Sequence, residues 1–113
     1  MANYSAGSVL AIPYFPNQEN SQNGEPRWII VVEDLEDKVQ ILPLTSQLHQ
    51  IKHYPKSIEI KKDSAEGLQM QLTSDSIILV ERTLIWKKTM IEKAYIKGTC
   101  SEELIDQICK LIG

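Results

Sequence analysis

The sequence predicts a mainly β domain with some α, a small and strongly curved sheet or barrel carrying a C-terminal helix. Three observations predict it. Short apolar runs recur along the chain, each bounded by turn residues. Two of them, Trp28–Val32 and Val39–Leu44, are joined by the charged turn Glu33–Lys38 and form a hairpin. A sustained helical period marks the end of the chain, where Leu104, Ile105, Ile108, Cys109 and Ile112 share one face. Many short strands with one terminal helix suit a curled sheet better than layered α/β units.

Val9–Tyr14 is the first strand, with Pro13 suiting an edge position or a strand end. Phe15–Pro26 is a long polar loop rich in Asn, Gln, Ser and Pro, and loops beyond the usual length are often functional. Trp28–Val32 is apolar without a break, as a strand buried on both faces would be. After Val39–Leu44 comes a second long polar loop, Thr45–Lys56. In Lys56–Lys61, Ile58 and Ile60 alternate with Ser57, Glu59 and Lys61. Lys62–Ser74 reads as irregular around Gly67, with an extended piece at Leu68–Leu72, and Ser76–Glu81 as another buried strand. Thr89–Ala94 gives one or two helical turns, Tyr95–Lys97 a last strand, and Gly98 a break. Thr99 and Glu102 have capping-box spacing, which starts the terminal helix there, and Gly113 stops it.

A chain of 113 residues is expected to be one domain, 1–113. Its 42% hydrophobic content supplies one core, and 24% charged residues are ordinary for a soluble surface. No run approaches the roughly 18 apolar residues of a membrane span, and Met1–Ser8 lacks a signal-peptide core. The expected location is cytoplasmic, with no membrane association. A net charge of −3 argues against broad binding to duplex DNA but permits a local basic groove. Lys52, Lys56, Lys61 and Lys62 gather with His49 and His53, either as a solvated face or as a nucleic-acid contact. Cys100 and Cys109 do not suggest a disulfide framework. Cys109 fits the apolar helical face, and Cys100 lies near a helix start, which can lower a thiol pKa, with no paired base evident for catalysis.

The hairpin returns Thr45 to the same end of the sheet as Arg27. A guanidinium beside the hydroxyls of Thr45 and Ser46 can bind phosphate. Two plainer readings stand next to this one. Arg27 can be a surface arginine paired with a carboxylate, and Thr45 and Ser46 can be a turn whose hydroxyls bond their own backbone. His49 and His53 have the spacing of two metal ligands on a helix, but the segment reads as loop and no third ligand has metal spacing. No metal or cofactor is therefore expected. Trp28 and Trp86 read as core or interface residues, and Glu81 and Arg82 as a local surface ion pair. There is no glycine-rich phosphate loop and no nucleophile elbow.

Taken in order, five segments resemble the MazF/PemK (Kid) family of toxin endoribonucleases across nearly the whole chain. They are Gly7-Ser-Val-Leu10; Gly24-Glu-Pro-Arg27 before Trp28-Ile-Ile-Val-Val32; Ile41-Leu-Pro-Leu-Thr-Ser-Gln47; Gly67-Leu68; and Asp75-Ser-Ile-Ile-Leu-Val-Glu-Arg-Thr83. The resemblance implies an SH3-like curved barrel of the CcdB/PemK type and a homodimer. It also implies metal-independent cleavage of single-stranded RNA, as an mRNA interferase. A cognate antitoxin, with a DNA-binding head and an acidic tail, would place an extended segment in the RNA groove. By position, Arg27 and Thr45 match the family's catalytic arginine and threonine, with Ser46 beside them. The loops Asn17–Pro26 and Gln47–Lys56 match those flanking the groove. RNA contacts are expected from Gln22, Asn23, Gln47, His49, Lys52, Lys56 and Arg82.

Two positions depart from the family pattern. Trp28 stands where the family has proline. Many relatives carry a glutamate in the first loop shortly before the arginine, where this chain has Ser21-Gln22. Glu19, Glu25 or the neutral ring of His49 would then be the base. Two other functions compete with the ribonuclease: a non-catalytic module binding RNA or peptide in the same groove, and a CcdB-like inhibitor of a protein target. The second has no use for a convergent Arg27 and Thr45.

Overall fold

The computed structural model describes residues 4–12, 27–91 and 94–112, and of Arg27 and Gln50 only the backbone. Strands β1 (Ser8–Ile12), β2 (Arg27–Leu35), β3 (Lys38–Thr45), β4 (Ile58–Ile60), β5 (Ser76–Ile78), β6 (Leu84–Lys87) and β7 (Tyr95–Thr99) form a curled sheet. The order is β4-β5-β3-β2-β1-β7, and β6 pairs with β3. Two helices complete it, α1 (Ala65–Met70) and the C-terminal α2 (Glu102–Ile112). The expected mainly β fold with a C-terminal helix is what the chain adopts.

The hairpin β2–β3 is the spine. Its antiparallel register sets Ile29 opposite Pro43, Ile30 opposite Leu42 and Val31 opposite Ile41. Ile29, Ile30 and Val31 are all buried, because the sheet is covered on both faces. On one face Val9, Ile30, Leu42, Leu44, Met70, Ile78, Leu104 and Ile108 pack under the helices. On the other, Leu10, Ile12, Ile29, Val31, Val39, Ile41 and Ile91 form a second core. The strands run further than the apolar run alone suggests. Glu33–Leu35 stays in β2 past a bulge after Val31, and the turn shrinks to Glu36-Asp37, with Glu36 at φ 75°. The Asp34 carboxylate accepts the Glu36 N–H at 2.9 Å and supports that left-handed residue.

Pro43 lies inside this central strand without a lost bond. Its carbonyl accepts from Leu79 N at 3.0 Å, on the edge away from β2. A strand residue points its N–H and C=O to the same edge, so the missing N–H of Pro43 faces that edge too. There β3 changes partner, from β6 (Ile41 opposite Leu84) to β5 (Leu44 opposite Ile78).

Several elements differ from the sequence reading. β1 lies between β2 and β7 and ends at Ile12, so of the two places offered for Pro13 the edge position does not hold and the strand end does. The supposedly irregular or extended stretch around Gly67 is helix α1, stabilised by local bonds. Ser64 Oγ accepts from Gly67 N, Leu72 N donates to Gly67 O and Gln71 N donates to Leu68 O, with Gln71 left-handed at φ 59°. The strand after Asp75 ends at Ile78, and Val80–Arg82 is a 3₁₀ turn. Lys88–Ile91 is another 3₁₀ turn, in keeping with the helical turn expected from Thr89 onwards. Gly98 does not break the chain; it sits inside β7. A Cβ there would come within 2.6 Å of Gln69 O, so glycine is what lets α1 lie against this strand.

The cap of α2 is Ser101, not Thr99. Its Oγ accepts from Leu104 N at 3.1 Å, while its N–H and O–H both donate to the Glu66 carboxylate. Leu104 and Ile108 are buried, with Ile105, Leu111 and Ile112 partly so. Cys109 is exposed, because its angle on the helix falls at the margin of that face.

Candidate functional site

The β2–β3 register places the two principal candidates. The paired register ends at Ile29 opposite Pro43; Arg27 lies two residues before Ile29 and Thr45 two residues after Pro43, at the same end of the hairpin. Arg27 is also the partner of Ile12 on β1 and opens β2, whereas Thr45 closes β3 and pairs with Ile77 on β5. The hairpin therefore brings their backbones to one rim of the sheet.

Thr45 is 7% exposed, and its Oγ1 accepts the Gln47 N–H at 3.1 Å. This is the hydroxyl turn that was the plainer reading of the segment. It fixes the side chain while leaving the hydroxyl proton to donate elsewhere. Ser46 and Gln47 are exposed. Glu19, Gln22, Asn23 and Glu25 lie outside the described residues.

The second loop is more ordered than its composition suggests. Leu48–Lys52 is a 3₁₀ turn. Tyr54 N donates to Ile51 O, and Ser57 donates to Tyr54 O through both N (2.9 Å) and Oγ (2.6 Å). The 3₁₀ turn after β5 holds the loop from outside: Lys56 N donates to Glu81 Oε1 at 2.7 Å, and Arg82 Nη1 donates to Tyr54 Oη at 3.1 Å. Glu81 and Arg82 thus reach into the loop rather than forming the local ion pair. His49, Lys52, His53 and Lys56 are displayed to solvent on this braced frame. Lys62 belongs to a different place, its N–H donating to Asp75 beyond β4.

Trp28 is half-buried against the core under the helices. The Lys97 ammonium lies 5.6 Å from its ring centroid and 5.9 Å from that of Tyr95. Nothing in the sequence pointed to Lys97 or Tyr95, since the two rings come to either side of Ala11 only through the pairing of three strands. Tyr54 and Glu81 were missed as loop braces for the same reason.

The thiols separate in character. Burial, aided by the Glu66 carboxylate, pushes the Cys100 thiol up to about 12, against the lowering that a helix start suggested. Among the described residues no group of three or more His, Cys, Asp or Glu could hold a metal ion, and no helix is long and apolar enough to cross a membrane.

Solved structures share this architecture. The crystal structure of MazE-MazF (Form-III) from Deinococcus radiodurans superposes with a TM-score of 0.71 at 14% identity, covering 99% of this chain and 94% of that one. Form-II of the same complex gives 0.70 at 16% identity, covering 100% and 95%. MazF (Form-I) from that organism gives 0.68 at 17% identity, covering 100% and 96%. At such identities the likeness concerns the fold. No curated protein sequence matches the chain significantly. The family described as PemK-like, MazF-like toxin of type II toxin-antitoxin systems matches residues 5–113, in agreement with the resemblance carried by the sequence segments. The chain belongs to that family of toxins.

Proposed function

We propose that the protein is an endoribonuclease toxin that cuts single-stranded RNA by attack of a 2′-hydroxyl on the adjacent phosphate. The 2′-oxygen bonds to phosphorus as the 5′-oxygen leaves. One proton departs from the 2′-hydroxyl and another is delivered to the 5′-oxygen, leaving a 2′,3′-cyclic phosphate and a 5′-hydroxyl. The chemistry asks for charge stabilisation on the phosphorane and for proton transfer at both ends. In this reading the Arg27 guanidinium forks onto the phosphate oxygens, and Thr45 and Ser46 add neutral donors. A guanidinium pKa above about 12 makes stabilisation its main part rather than acid catalysis. Glu19, Glu25 and His49 are the base candidates. Gln47, His49, Lys52 and Lys56 would follow the RNA along the braced loop, with Gln22 and Asn23 opposite. Arg82 would act on RNA through Tyr54 and the loop rather than by direct contact.

The observation that supports this reading most is the hairpin, which has Arg27 and Thr45 at the same end of its two strands in a chain of the toxin family. The solved MazE-MazF complexes add support for a homologous antitoxin that would cover the same rim. The active form would be a homodimer. A second reading, a binding module that does not cut, is motivated by the first loop, where Ser21-Gln22 stand in place of the family's glutamate.

The deciding experiment incubates the purified protein with a long single-stranded RNA in EDTA beside Arg27→Ala. Cleavage with 5′-hydroxyl ends by the wild type alone is expected. No cutting, or equal cutting by both proteins, would sink the proposal.

A further inference from the structure

We propose that Trp28, Tyr95 and Lys97, set around the buried Ala11, form a stacking subsite for one nucleobase of single-stranded RNA, next to the candidate cleavage rim. The inference rests on the RNA-directed reading above and adds a place where a base is held.

The site is written in the register of three strands. Ala11 on β1 pairs with Trp28 on β2 and with Tyr95 on β7. Residues directly opposite in a sheet share a face, so the row across it runs ring, methyl, ring. Neighbouring strands lie about 4.8 Å apart, which roots the two rings roughly 10 Å from each other with only a methyl between. Lys97 follows Tyr95 by two positions, which returns its side chain to the same face. Its ammonium stands 5.6 and 5.9 Å from the two ring centroids. Tyr95 is 55% exposed, so its ring is open to a ligand.

What this face offers is aromatic and cationic rather than aliphatic. The exposed Ile96 alternates to the other face, where it pairs with Leu10. A flat π-system with a negative charge attached fits both features: the base stacks on a ring, and Lys97 moves from the rings to the phosphate. Aromatic platforms beside a positive charge are the usual means of holding single-stranded nucleic acid. Trp28 directly follows Arg27 at the mouth of β2, so RNA crossing this rim reaches both. The tryptophan that replaces the family's proline is then a binding residue of this chain.

The test uses the Arg27→Ala protein in EDTA, so that binding is read without cutting. Short labelled oligoribonucleotides of mixed sequence are titrated by fluorescence anisotropy and the tightest is kept. Tyr95→Ala should weaken it about tenfold, the size of one lost base–aromatic stack, and Tyr95→Phe should restore it. Abasic residues placed one at a time along the oligonucleotide should find one position that costs the same, and there Tyr95→Ala should cost nothing further. Equal affinity for Tyr95→Ala, or losses that add at every position, overturns the subsite. A changed oligomeric state at unchanged RNA affinity also overturns it, by making this face a protein interface. If the base-specific coupling appears but the wild type never cuts RNA, the subsite stands and the ribonuclease reading falls.

Discussion

Lys88 Nζ lies 2.8 Å from both carboxylate oxygens of Asp34, joining the end of β6 to the far end of β2. The side chains are 4% and 23% exposed. The same carboxylate accepts Tyr4 N at 2.8 Å, Lys88 N donates to Asp37 O, and the ammonium stands 5.8 Å from the Tyr4 ring. One acid thus fastens the N-terminal segment, the hairpin tip and the 3₁₀ turn that follows β6.

Acid should loosen this clamp. The hydrogen bond from Lys88, followed by those from the Tyr4 and Glu36 amides, holds Asp34 down at about 2. The folded value lies below the unfolded one, so the contribution to stability is complete above about pH 4 and fades as pH falls towards 2. Urea unfolding across that range should show a loss that Asp34→Asn removes. The variant should also melt several degrees lower at neutral pH, because it leaves a buried ammonium without its anion. Parallel acid profiles for the two proteins would contradict the assignment.

The two thiols should differ sharply towards alkylation. Cys109 is exposed, whereas Cys100 is buried and its thiolate is disfavoured by burial and by Glu66. Iodoacetamide on the native protein at pH 8 should give a single adduct, mapped to Cys109 by peptide mass spectrometry. A second adduct should appear only in denaturant.

The loop braces predict a local effect. Glu81→Ala removes the acceptor of the Lys56 N–H and should speed hydrogen exchange at that amide about tenfold, while changing global stability by no more than about 1 kcal/mol. Arg82→Ala should act alike on the Tyr54 side. Exchange at Lys56 as slow as in the wild type would remove Glu81 as a brace.

Opposite signs are expected at two backbone positions. Gly98→Val drives a side chain into the Gln69–Met70 backbone and should cost more than about 3 kcal/mol. Gln71→Gly relieves a left-handed residue after α1 and should gain about 0.5–1 kcal/mol. Chemical denaturation of both variants checks the pair.

The strands that are long and apolar were legible in the sequence, because burial on both faces leaves apolar runs at Ile29–Val31 and Ile41–Leu44. Helix α1 was not. It is held by a serine cap, a left-handed glutamine and a glycine, which together resemble a loop in composition. The cap at Ser101 was hidden by the equally suitable Thr99, and only the Glu66 carboxylate, far away in sequence, decides between them. Lys88 reads as surface, and its burial depends on Asp34 across the sheet. At the candidate site, only the common end of β2 and β3 that holds Arg27 and Thr45 could be read, because hairpin arithmetic is local. The aromatic row and the loop braces could not, since each needs partners from separate strands.

The break in pairing beside Pro43 separates a frame from a wall. From Lys38 to Ile41, β3 is tied to β6, whereas its backbone ties towards β5 and, through β5, to β4 run from the Pro43–Leu79 hydrogen bond to Leu44 and Thr45. The wall that carries the basic loop therefore hangs from the frame by a short seam ending at Thr45. Insertions, deletions and sequence drift in residues 46–57 can remodel that wall without disturbing the hairpin. A lineage of toxins under pressure to change what it recognises would find its room for variation on the wall, with the seam and frame kept constant.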